Sequence, residues 1–594
     1  MWKSWHRKSW MVIALLGAVG ATLAGCSSGG SDPAPGGGTS HTLSGTAAAG
    51  APIVGIVNVK GANGATASAP IDANGHFSLD VSALTASYIL YAEGRVNGTT
   101  VRIYSAAVAE GQINITPFTD LIVANTMRTT LQSAYDNWVT THAGDADITT
   151  AKENLKAAIL PVLTATNAQS IDLMTGAFNA DNTGLDAALD VLGITYVGTT
   201  ATIVNKITGS TTTDNITISG PITPLPASDN TDTLTGLTDL EGINILWGKV
   251  ITLFSGATKP TLSQAETAIG PYIATDAFHD GQNRDQYLSD FVSDGPDSTC
   301  SKIAAVIDHP MTTSELSSTS YLKGYWVTVN YKCGPDVGSM VDSMVYNSSS
   351  AKWQEYGNRE WLGFDLQAEA HKSIPPTGPA TMRTGFSFWL DDNYNYAYNQ
   401  GVNSAIVTGP GLPVGGVVMD HKFPQTWFSV TSQTNGSGGS HYYIADDSAL
   451  GSIPDNAVYT VKLYAESAAT VTTANTSLRT ITDYSPKRPY LNSELSAALW
   501  PTLTSPTSHS ITAANIPGIL NISWTNPAGA AINHADLNWW DGVKSNQVQT
   551  KPATGATSLQ IDTSTFGAAS SWASLWMSGT DSANRQISMD WQFN

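Results

Sequence analysis

Two stretches near the start of the chain, residues 44–64 (SGTAAAGAPIVGIVNVKGANG) and residues 71–81 (IDANGHFSLDV), decide the fold of its first folded part. From Val54 to Val59 the side chains follow the two-residue period of a β-strand. The Asn-Gly pair that ends at Gly75 is typical of a tight turn between two strands. We therefore expect short strands joined by turns over residues 41–115.

The order of these strands and turns resembles the carboxypeptidase regulatory-like domain, a small β-sandwich found in exported bacterial proteins. The resemblance covers residues 41–115. That family has no catalytic residues of its own, so the resemblance implies a structural or binding module.

The first residues of the chain have the three zones of a secretory signal. Lys3, Arg7 and Lys8 are basic, residues 11–23 are apolar, and Leu23-Ala24-Gly25-Cys26 places small residues before a cysteine. The four residues from Leu23 to Cys26 resemble the lipobox of bacterial lipoproteins. The resemblance implies cleavage before Cys26 and a diacylglycerol group on its thiol. The alternative is an ordinary signal peptide with a cysteine at its cleavage site.

We therefore interpret residues 1–25 as a signal peptide and residues 26–40 as a lipidated cysteine followed by a tether. The tether, SSGGSDPAPGGGTS, has the composition of a flexible spacer. Two or three acyl chains are needed for stable anchoring, because each buried methylene contributes about 0.8 kcal/mol. In the lipoproteins that this chain resembles, Asp after the cysteine favours retention in the inner membrane. Ser27 therefore favours the outer membrane and a position at the cell surface.

Composition limits the class of protein. The 594 residues suffice for about four or five domains, and only 13% of them are charged, as in secreted β-rich modules. The net charge is −20 and the isoelectric point is about 4.8. Such a surface repels phosphate backbones, which excludes nucleic acid from the expected partners.

Helical signals follow the first module, and we expect a helical domain over residues 116–207 and a linker over residues 208–235. The signals are Thr116 before Pro117, the composition of residues 121–131, a capping box Thr150-x-x-Glu153, and residues 184–192.

Residues 236–362 combine a predicted helix over 262–278 with alternating segments that end in Trp353 and Tyr356-Gly-Asn358. This pattern resembles the SnoaL-like branch of the nuclear transport factor two-like cone fold. Cys300 and Cys333 would then flank two neighbouring strands. An isolated cysteine pair in an oxidising compartment indicates a disulfide, and a metal site is disfavoured because no histidine pair stands at ligand spacing nearby.

The C-terminal part is predicted to be all-β, with one domain over residues 363–487 and another over residues 488–594. Regularly spaced strands with Trp524, Trp539 and Trp540 resemble a fibronectin type III sandwich. The resemblance implies that Trp524 is the buried tryptophan of the second strand and that Trp576 replaces the usual tyrosine of the sixth. The expected fold class is therefore multidomain and mainly β, with one helical domain and one α+β cone-like domain.

The sequence gives few signs of a catalytic site, since it contains no H-E-x-x-H, G-x-S-x-G or G-x-x-x-x-G-K motif. Asp276, His279 and Asp280 form a candidate acid–base group, because a carboxylate beside a histidine suits proton transfer near neutral pH. The alternative, which the sequence favours, is a solvated helix end.

A calcium loop is a second candidate site. Asn179, Asp181, Thr183 and Asp190 take positions 1, 3, 5 and 12 of such a loop, with Gly184 at position 6. A turn followed by the start of a helix explains the same residues and is favoured. Calcium is the only cofactor that the sequence suggests.

Aromatic residues give the third candidate. Tyr394, Tyr396 and Tyr398 alternate with polar residues, so on a strand their rings would share one face as a binding stripe or a packing row. Trp539 and Trp540 are consecutive and would face opposite sides of a strand, which leaves one of them, taken as Trp540, available for ligand.

The function predicted from these features is that of a non-catalytic lipoprotein at the cell surface, with a binding, display or envelope-structural role, whose partner is an envelope polysaccharide, another surface protein or an extracellular substrate. The alternative from another class is an exported enzyme with its site at Asp276, His279 and Asp280. A third alternative is an accessory lipoprotein of a secretion or envelope assembly.

Overall fold

The computed structural model describes residues 41–593, except for residues 97–98, 257, 294–299, 334–335, 506–515, 517, 528, 542, 544, 553–554, 565–566, 568–572 and 582. The predicted signal peptide, Cys26 and the tether lie outside the described residues. The described chain is mainly β with a smaller share of helix, which confirms the predicted fold class.

The chain divides into two compact units. The first, here the N-terminal unit, contains the described residues up to Ile243 together with Val306–Val327. The second, the C-terminal unit, contains Asn244–Ala305 and the residues from Thr328 onward.

The N-terminal unit begins with seven strands in two sheets. The strands are β1 (Thr42–Thr46), β2 (Val54–Gly61), β3 (Thr66–Pro70), β4 (His76–Asp80), β5 (Tyr88–Val96), β6 (Thr99–Ala107) and β7 (Gly111–Gln112). The sheet orders are β4-β1-β7 and β3-β2-β5-β6. The predicted turn is present: Asp72 Oδ1 accepts the backbone N–H groups of Asn74 and His76 at 2.8 and 2.9 Å, and Gly75 has a φ of +85°.

Five helices follow: α1 (Pro117–Met127), α2 (Leu131–Asp136), α3 (Asp145–Ala158), α4 (Leu160–Ala165) and α5 (Gly184–Val191). The predicted cap of α1 is confirmed, because Thr116 and Thr119 form a reciprocal capping box. The predicted capping box at Thr150 is wrong. Helix α3 begins five residues earlier, and the Thr150 hydroxyl donates to the carbonyl of Ala146 inside it.

A three-stranded antiparallel meander follows α5, and it replaces the last part of the predicted helical domain. Its strands are β8 (Leu192–Val197), β9 (Thr200–Asn205) and β10 (Thr211–Asn215). The change of period comes at Leu192, where β-branched and aromatic residues replace the alanine- and leucine-rich helix.

The next segment contains helices and a four-stranded sheet in the order β13-β14-β15-β16. Its elements are α6 (Asp229–Leu253), α7 (Leu262–Ala268), β11 (Phe278–His279), β12 (Gln282–Asn283), α8 (Arg284–Ser293), β13 (Cys300–Pro310), β14 (Tyr321–Cys333), β15 (Asp336–Asn347) and β16 (Lys352–Glu355). The predicted helix over 262–278 ends at Ala268 and is followed by a 3-10 turn. Cys300 and Cys333 form the predicted disulfide.

The rest of the C-terminal unit contains three sheets. The first group of elements is β17 (Gly363–Ile374), β18 (Thr381–Asp391), α9 (Tyr396–Asn399), β19 (Ser404–Thr408), β20 (Val417–His421), β21 (Phe428–Val430), β22 (His441–Tyr443), α10 (Asp447–Gly451), β23 (Ala457–Tyr464) and β24 (Arg479–Ser485). The second group is β25 (Thr502–Ser505), β26 (Ile519–Thr525), β27 (Ala530–Trp540), β28 (Ser545–Thr550), β29 (Ser558–Asp562), β30 (Ala573–Asp581) and β31 (Gln586–Phe593).

One seven-stranded sheet, β22-β18-β17-β31-β30-β27-β28, takes strands from both groups. The junction is the parallel pairing of β17 with β31, in which His371 is opposite Ser588. The predicted domain boundary between residues 487 and 488 therefore runs through a single sheet.

The apolar face of this sheet covers two separate cores. One core contains Phe386, Phe388 and residues of the five-stranded sheet β21-β20-β19-β23-β24. The other contains Trp524 and Trp539 and includes the three-stranded sheet β25-β26-β29. Strands β25 to β31 thus form a three-plus-four sandwich with Trp524 buried, as the fibronectin resemblance implies. The role predicted for Trp576 is wrong: core residues flank it in β30, so its ring stands on the opposite face.

Among the residues that the structure describes, no helix is both long enough and apolar enough to cross a bilayer.

Candidate functional site

A cleft of about 440 Å³ opens on the C-terminal unit, and we refer to it as the aromatic cleft. It lies where the segment before β11, the segment after β16, helix α9 and strand β24 meet. The lining residues are Thr275, Asp276, Ala277, Phe278, Asn283, Arg359, Trp361, Tyr396 and Arg479.

Three rings line the aromatic cleft. The ring centroids of Trp361 and Tyr396 are 6.3 Å apart with planes at 70°, and those of Phe278 and Tyr396 are 4.7 Å apart. All three side chains are half-buried. Rings held in this way offer rigid apolar surface to a ligand at little entropic cost, while the tyrosine hydroxyl and the indole N–H can meet polar groups.

Two guanidinium groups line the same cleft. Arg359 donates to the backbone carbonyl of Asp276 at 2.8 Å, and its guanidinium lies 4.2 Å from the centre of the Tyr356 ring. Arg479 donates to Glu360 Oε2 at 3.1 Å and to the backbone carbonyl of Arg359 at 2.7 Å. Burial raises the pKa of Glu360, and Arg479 opposes that rise. A guanidinium has five N–H donors, and these contacts use one on Arg359 and two on Arg479.

The structure brings two of the predicted site residues, Asp276 and Tyr396, to the aromatic cleft. The predicted tyrosine stripe is wrong, because these residues form a 3-10 turn and helix α9 rather than a strand. Tyr394, which is 46% exposed, donates from its hydroxyl to Asp290 Oδ1 at 2.9 Å. Tyr398 stacks on Phe423 with ring centroids 4.1 Å apart. Tyr394 and Asn395 have positive φ angles of 61° and 52°, so the backbone turns between Tyr394 and Tyr396, and each of the three rings contacts different residues.

The predicted acid–base group is also divided. Asp276 is exposed, whereas His279 and Asp280 are almost fully buried beside three residues that the sequence analysis missed, and we call the buried group the acidic cluster. Its members are His279, Asp280, Tyr287, Asp342 and Glu355. Register explains why the last two meet: Met344 is opposite Glu355 in the β15–β16 pair, so Asp342 is the diagonal neighbour on the same face.

Two of the three carboxyl groups of the acidic cluster, those of Asp342 and Glu355, share one polar environment. The Tyr287 hydroxyl donates to Glu355 Oε1, and Ser343 N–H donates to Asp342 Oδ1 at 2.7 Å. Burial, followed by the proximity of Glu355, raises the pKa of Asp342 well above its usual range. Burial also raises the pKa of Glu355 and of the Tyr287 hydroxyl. The cluster therefore resists carrying two negative charges.

A second polar group, here the ring cluster, lies on the polar face of the seven-stranded sheet and is in part buried, with two half-buried members, His441 and Trp576. Its members are Glu369, His371, His441, Tyr443 and Trp576, from strands β17, β22 and β30. The alternation of side chains along these strands gives all five the face opposite the apolar cores. The rings are near-parallel: those of His371 and Trp576 are 4.8 Å apart, and those of His441 and Tyr443 are 5.9 Å apart.

The pKa values of the two histidines of the ring cluster are shifted in opposite directions. Burial, with the nearby His441 and Arg383, lowers the pKa of His371 to about 3. Although burial opposes it, the charge of Glu369 and a hydrogen bond of 2.6 Å between His441 Nδ1 and Glu369 Oε1 raise the pKa of His441. Glu369 and a charged His441 therefore form a neutral pair, next to an uncharged His371.

The remaining predicted sites stay separate. Trp539 belongs to the core, and its indole N–H donates to the carbonyl of Gly567. Trp540 is half-buried on the other face of the strand, as the alternation predicts. In the predicted calcium loop, Asp181 accepts from the Thr183 hydroxyl at 2.7 Å. Asp186, rather than Asp190, accepts the N–H of Asn182. This is the turn and helix start that the sequence favoured, and calcium binding by Asn179, Asp181, Thr183 and Asp190 stays a prediction.

Comparison with known proteins gives no assignment. No protein-family model matches the chain, and no curated protein matches it. Two solved structures align weakly. The chicken CNTN1 FN1–FN3 domains align at 11% identity over 49% of this chain and 78% of that one, with a TM-score of 0.13. A Ca²⁺-stabilized adhesin that helps an Antarctic bacterium reach out and bind ice aligns at 10% identity over 93% of this chain and 98% of that one, also with a TM-score of 0.13. Neither alignment bears on the function of this chain.

Proposed function

We propose that this chain is a lipid-anchored protein of the bacterial envelope that binds a glycan with acidic groups in the aromatic cleft. The observation that carries the proposal is the combination, in one cleft, of the rings of Trp361 and Tyr396 with the guanidinium groups of Arg359 and Arg479.

The chemistry of the lining matches that of a sugar acid. A pyranose ring has apolar C–H faces, which pack on aromatic rings, and a rim of hydroxyl groups, which need hydrogen-bond partners. A carboxylate or phosphate substituent suits the forked donors of arginine. The net charge of the chain is −20, and the cleft lining itself contains Asp276, while Arg479 is paired with Glu360. The donors that remain on Arg359 therefore provide the main attraction for an acidic ligand.

The anchoring part of the proposal rests on sequence. Leu23-Ala24-Gly25-Cys26 and Ser27 support lipidation of Cys26 and sorting to the outer membrane. The spacer that follows would let the folded units reach a polymer in the envelope or at the cell surface.

Catalysis at Asp276, His279 and Asp280 is less well supported. The side chains of His279 and Asp280 are only 5% and 9% exposed, while Asp276 is exposed and lines the aromatic cleft. A substrate that meets Asp276 would therefore not reach the imidazole without rearrangement of the buried acidic cluster.

The test is a binding assay with the chain from Ser27 onward against uncharged and acidic envelope polysaccharides. We expect retention of acidic polymers, and about tenfold weaker binding, or about 1.4 kcal/mol, for Trp361→Ala and for Arg359→Gln. Trp427→Ala is the matched control, since Trp427 is 41% exposed and does not line the aromatic cleft. Thermal melting of each variant separates loss of ligand contacts from loss of fold.

Two results would contradict the proposal. One is the absence of binding to every polysaccharide by the wild-type chain. The other is unchanged binding by both cleft variants when their melting temperatures match that of the wild type.

A further inference from the structure

The acidic cluster has the donor atoms of a metal site. His279, Asp342 and Glu355 each offer one nitrogen or oxygen ligand atom, and these three atoms lie within 4.8 Å of one another. All three residues are buried, being 4%, 0% and 2% exposed. One imidazole and two carboxylates form a mixed nitrogen and oxygen set, as first-row transition metals prefer.

Asp342 supplies an independent observation. Its Oδ2 atom is fully buried, and no backbone, amide or hydroxyl group of the described residues donates to it. The same atom lies 3.7 Å from His279 Nδ1. A buried carboxylate oxygen without a donor costs several kcal/mol unless a cation or a proton compensates it.

The Nδ1 atom of His279 is the ring nitrogen nearer to Asp342, at 3.7 Å from Asp342 Oδ2. It also accepts the backbone N–H of Asn358 at 3.2 Å, so binding a metal through Nδ1 would replace this hydrogen bond. The Nε2 atom of His279 lies 3.5 Å from Asp280 Oδ2, and the side-chain amide of Asn358 donates to Asp280 Oδ1 at 2.8 Å. A carboxylate on the far nitrogen of a ligating histidine is the usual arrangement around protein-bound metals.

The backbone at Gly357 passes very close to the backbone of Phe278, the residue before His279. Gly357 has a φ of +90°, and a Cβ atom there would lie 2.1 Å from the carbonyl oxygen of Phe278. Only glycine permits this approach, which places Asn358 against His279 and Asp280.

We propose that His279, Asp342 and Glu355 bind one divalent transition-metal ion, with Asp280 as the residue that orients His279. The ion would take the position between the two carboxylates and neutralise both. Because all three ligands are buried, the ion would connect β11, β15 and β16 inside the fold. This inference does not depend on the proposed glycan binding.

The experiment measures Zn²⁺ per chain in the tag-free protein from Ser27 onward, after chelation, re-equilibration with Zn²⁺ and desalting. We expect the wild type to retain one more Zn²⁺ per chain than Asp342→Asn or Glu355→Gln. Asp280→Asn should weaken binding by about 10–100-fold without abolishing it. Asp276→Asn is the matched control, because it changes an exposed carboxylate of the same segment.

Equal Zn²⁺ content in the wild type and both carboxylate variants would overturn the proposal. If either variant fails to fold, the wild type alone decides. Co²⁺ in place of Zn²⁺ should give visible absorption bands of nitrogen and oxygen ligation, and a wild-type protein without these bands would also overturn it.

Discussion

The acidic cluster and the ring cluster both bury a carboxylate beside a histidine, but they balance charge differently. In the ring cluster one carboxylate, Glu369, faces one raised-pKa histidine, His441, at 2.6 Å, and the pair is neutral. In the acidic cluster two carboxylates, Asp342 and Glu355, lie beside His279, whose Nδ1 accepts a hydrogen bond from Asn358.

The comparison shows that burial alone does not decide what a carboxylate does. With one histidinium it forms an ion pair that balances its charge, although Glu369 Oε2 has no hydrogen-bond partner among the described residues. With a second carboxylate it needs a proton or a cation between them, and this need makes the acidic cluster a candidate metal site. The same substitution, acid to amide, should therefore have opposite effects in the two clusters.

The largest expected effect is that of Glu369→Gln. It removes the charge that compensates His441, in a pair whose carboxylate is fully buried and whose imidazole is 24% exposed, so we expect the free energy of unfolding to fall by about 3 kcal/mol. Chemical denaturation at pH 6 is the measurement. Asp562→Asn, the same change on an exposed strand position, should alter stability by less than about 0.5 kcal/mol. A Glu369→Gln protein as stable as that control would show that the pair is not needed.

The second effect is acid sensitivity that comes from His371. Its folded pKa, about 3, lies below its unfolded value of 6.5, so below pH 6.5 the unfolded chain binds a proton that the folded chain does not. His371 should therefore reduce stability by about 2 kcal/mol between pH 6.5 and pH 5. His371→Phe keeps a ring against Trp576 and should remove this part of the pH dependence. Identical pH profiles for the two proteins would contradict the expectation.

The contribution of His441 to stability depends on pH in the opposite direction. Its folded pKa is raised, so its contribution is present below pH 6.5 and is lost as the pH rises through the folded value. Denaturation of His371→Phe as a function of pH should therefore show stability that declines on the alkaline side, and Glu369→Gln should abolish that decline.

A smaller effect is expected in the acidic cluster. In metal-free buffer at pH 7, Asp342→Asn removes one of two adjacent buried carboxyl groups and provides an amide donor for Glu355. We expect a gain of about 1 kcal/mol in the free energy of unfolding. A loss of more than about 1 kcal/mol would show that the two carboxyl groups stabilise the fold without a cation.

The smallest effect is expected at Tyr394, whose hydroxyl donates to Asp290 at the surface. Tyr394→Phe should change stability by less than about 0.5 kcal/mol and leave glycan binding unchanged, because Tyr394 does not line the aromatic cleft. Tyr396→Ala, two residues further along the chain, should weaken glycan binding because Tyr396 lines the aromatic cleft. Equal effects of the two changes would revive the predicted tyrosine stripe as a single surface.

Much of the local structure follows from sequence period and from caps. The turn at Gly75, the cap at Thr116, the helix from Gly184 and the alternation at Trp539 and Trp540 are all present. Each depends on residues within a few positions of one another. The failures have local causes too: Thr150 resembles a cap but lies inside α3, and Tyr394 to Tyr398 alternate in polarity without forming a strand.

The candidate sites could be predicted only in part. The sequence predicts Asp276, His279 and Asp280 as candidates, but Asp342 and Glu355, which lie beside His279, are on strands more than 50 residues away. Arg359 and Trp361 gave no signal of their own, because a single arginine or tryptophan has no periodicity. The one available hint for Asp342 and Glu355 was the alternation of their strands, which requires the register of the β15–β16 pair.

The sequence by itself determined the mainly β class, the disulfide between Cys300 and Cys333 and the sandwich strands of the C-terminal part, and the export signal stays a prediction. These depend on composition, spacing and side-chain period, which are properties of neighbouring residues. Only the tertiary structure decided that β17 pairs with β31, that His279 faces Asp342 and Glu355, and that Trp361 and Tyr396 line one cleft with two arginines. The physical reason is that such contacts close long loops, and their partners are selected by packing and register rather than by local preference.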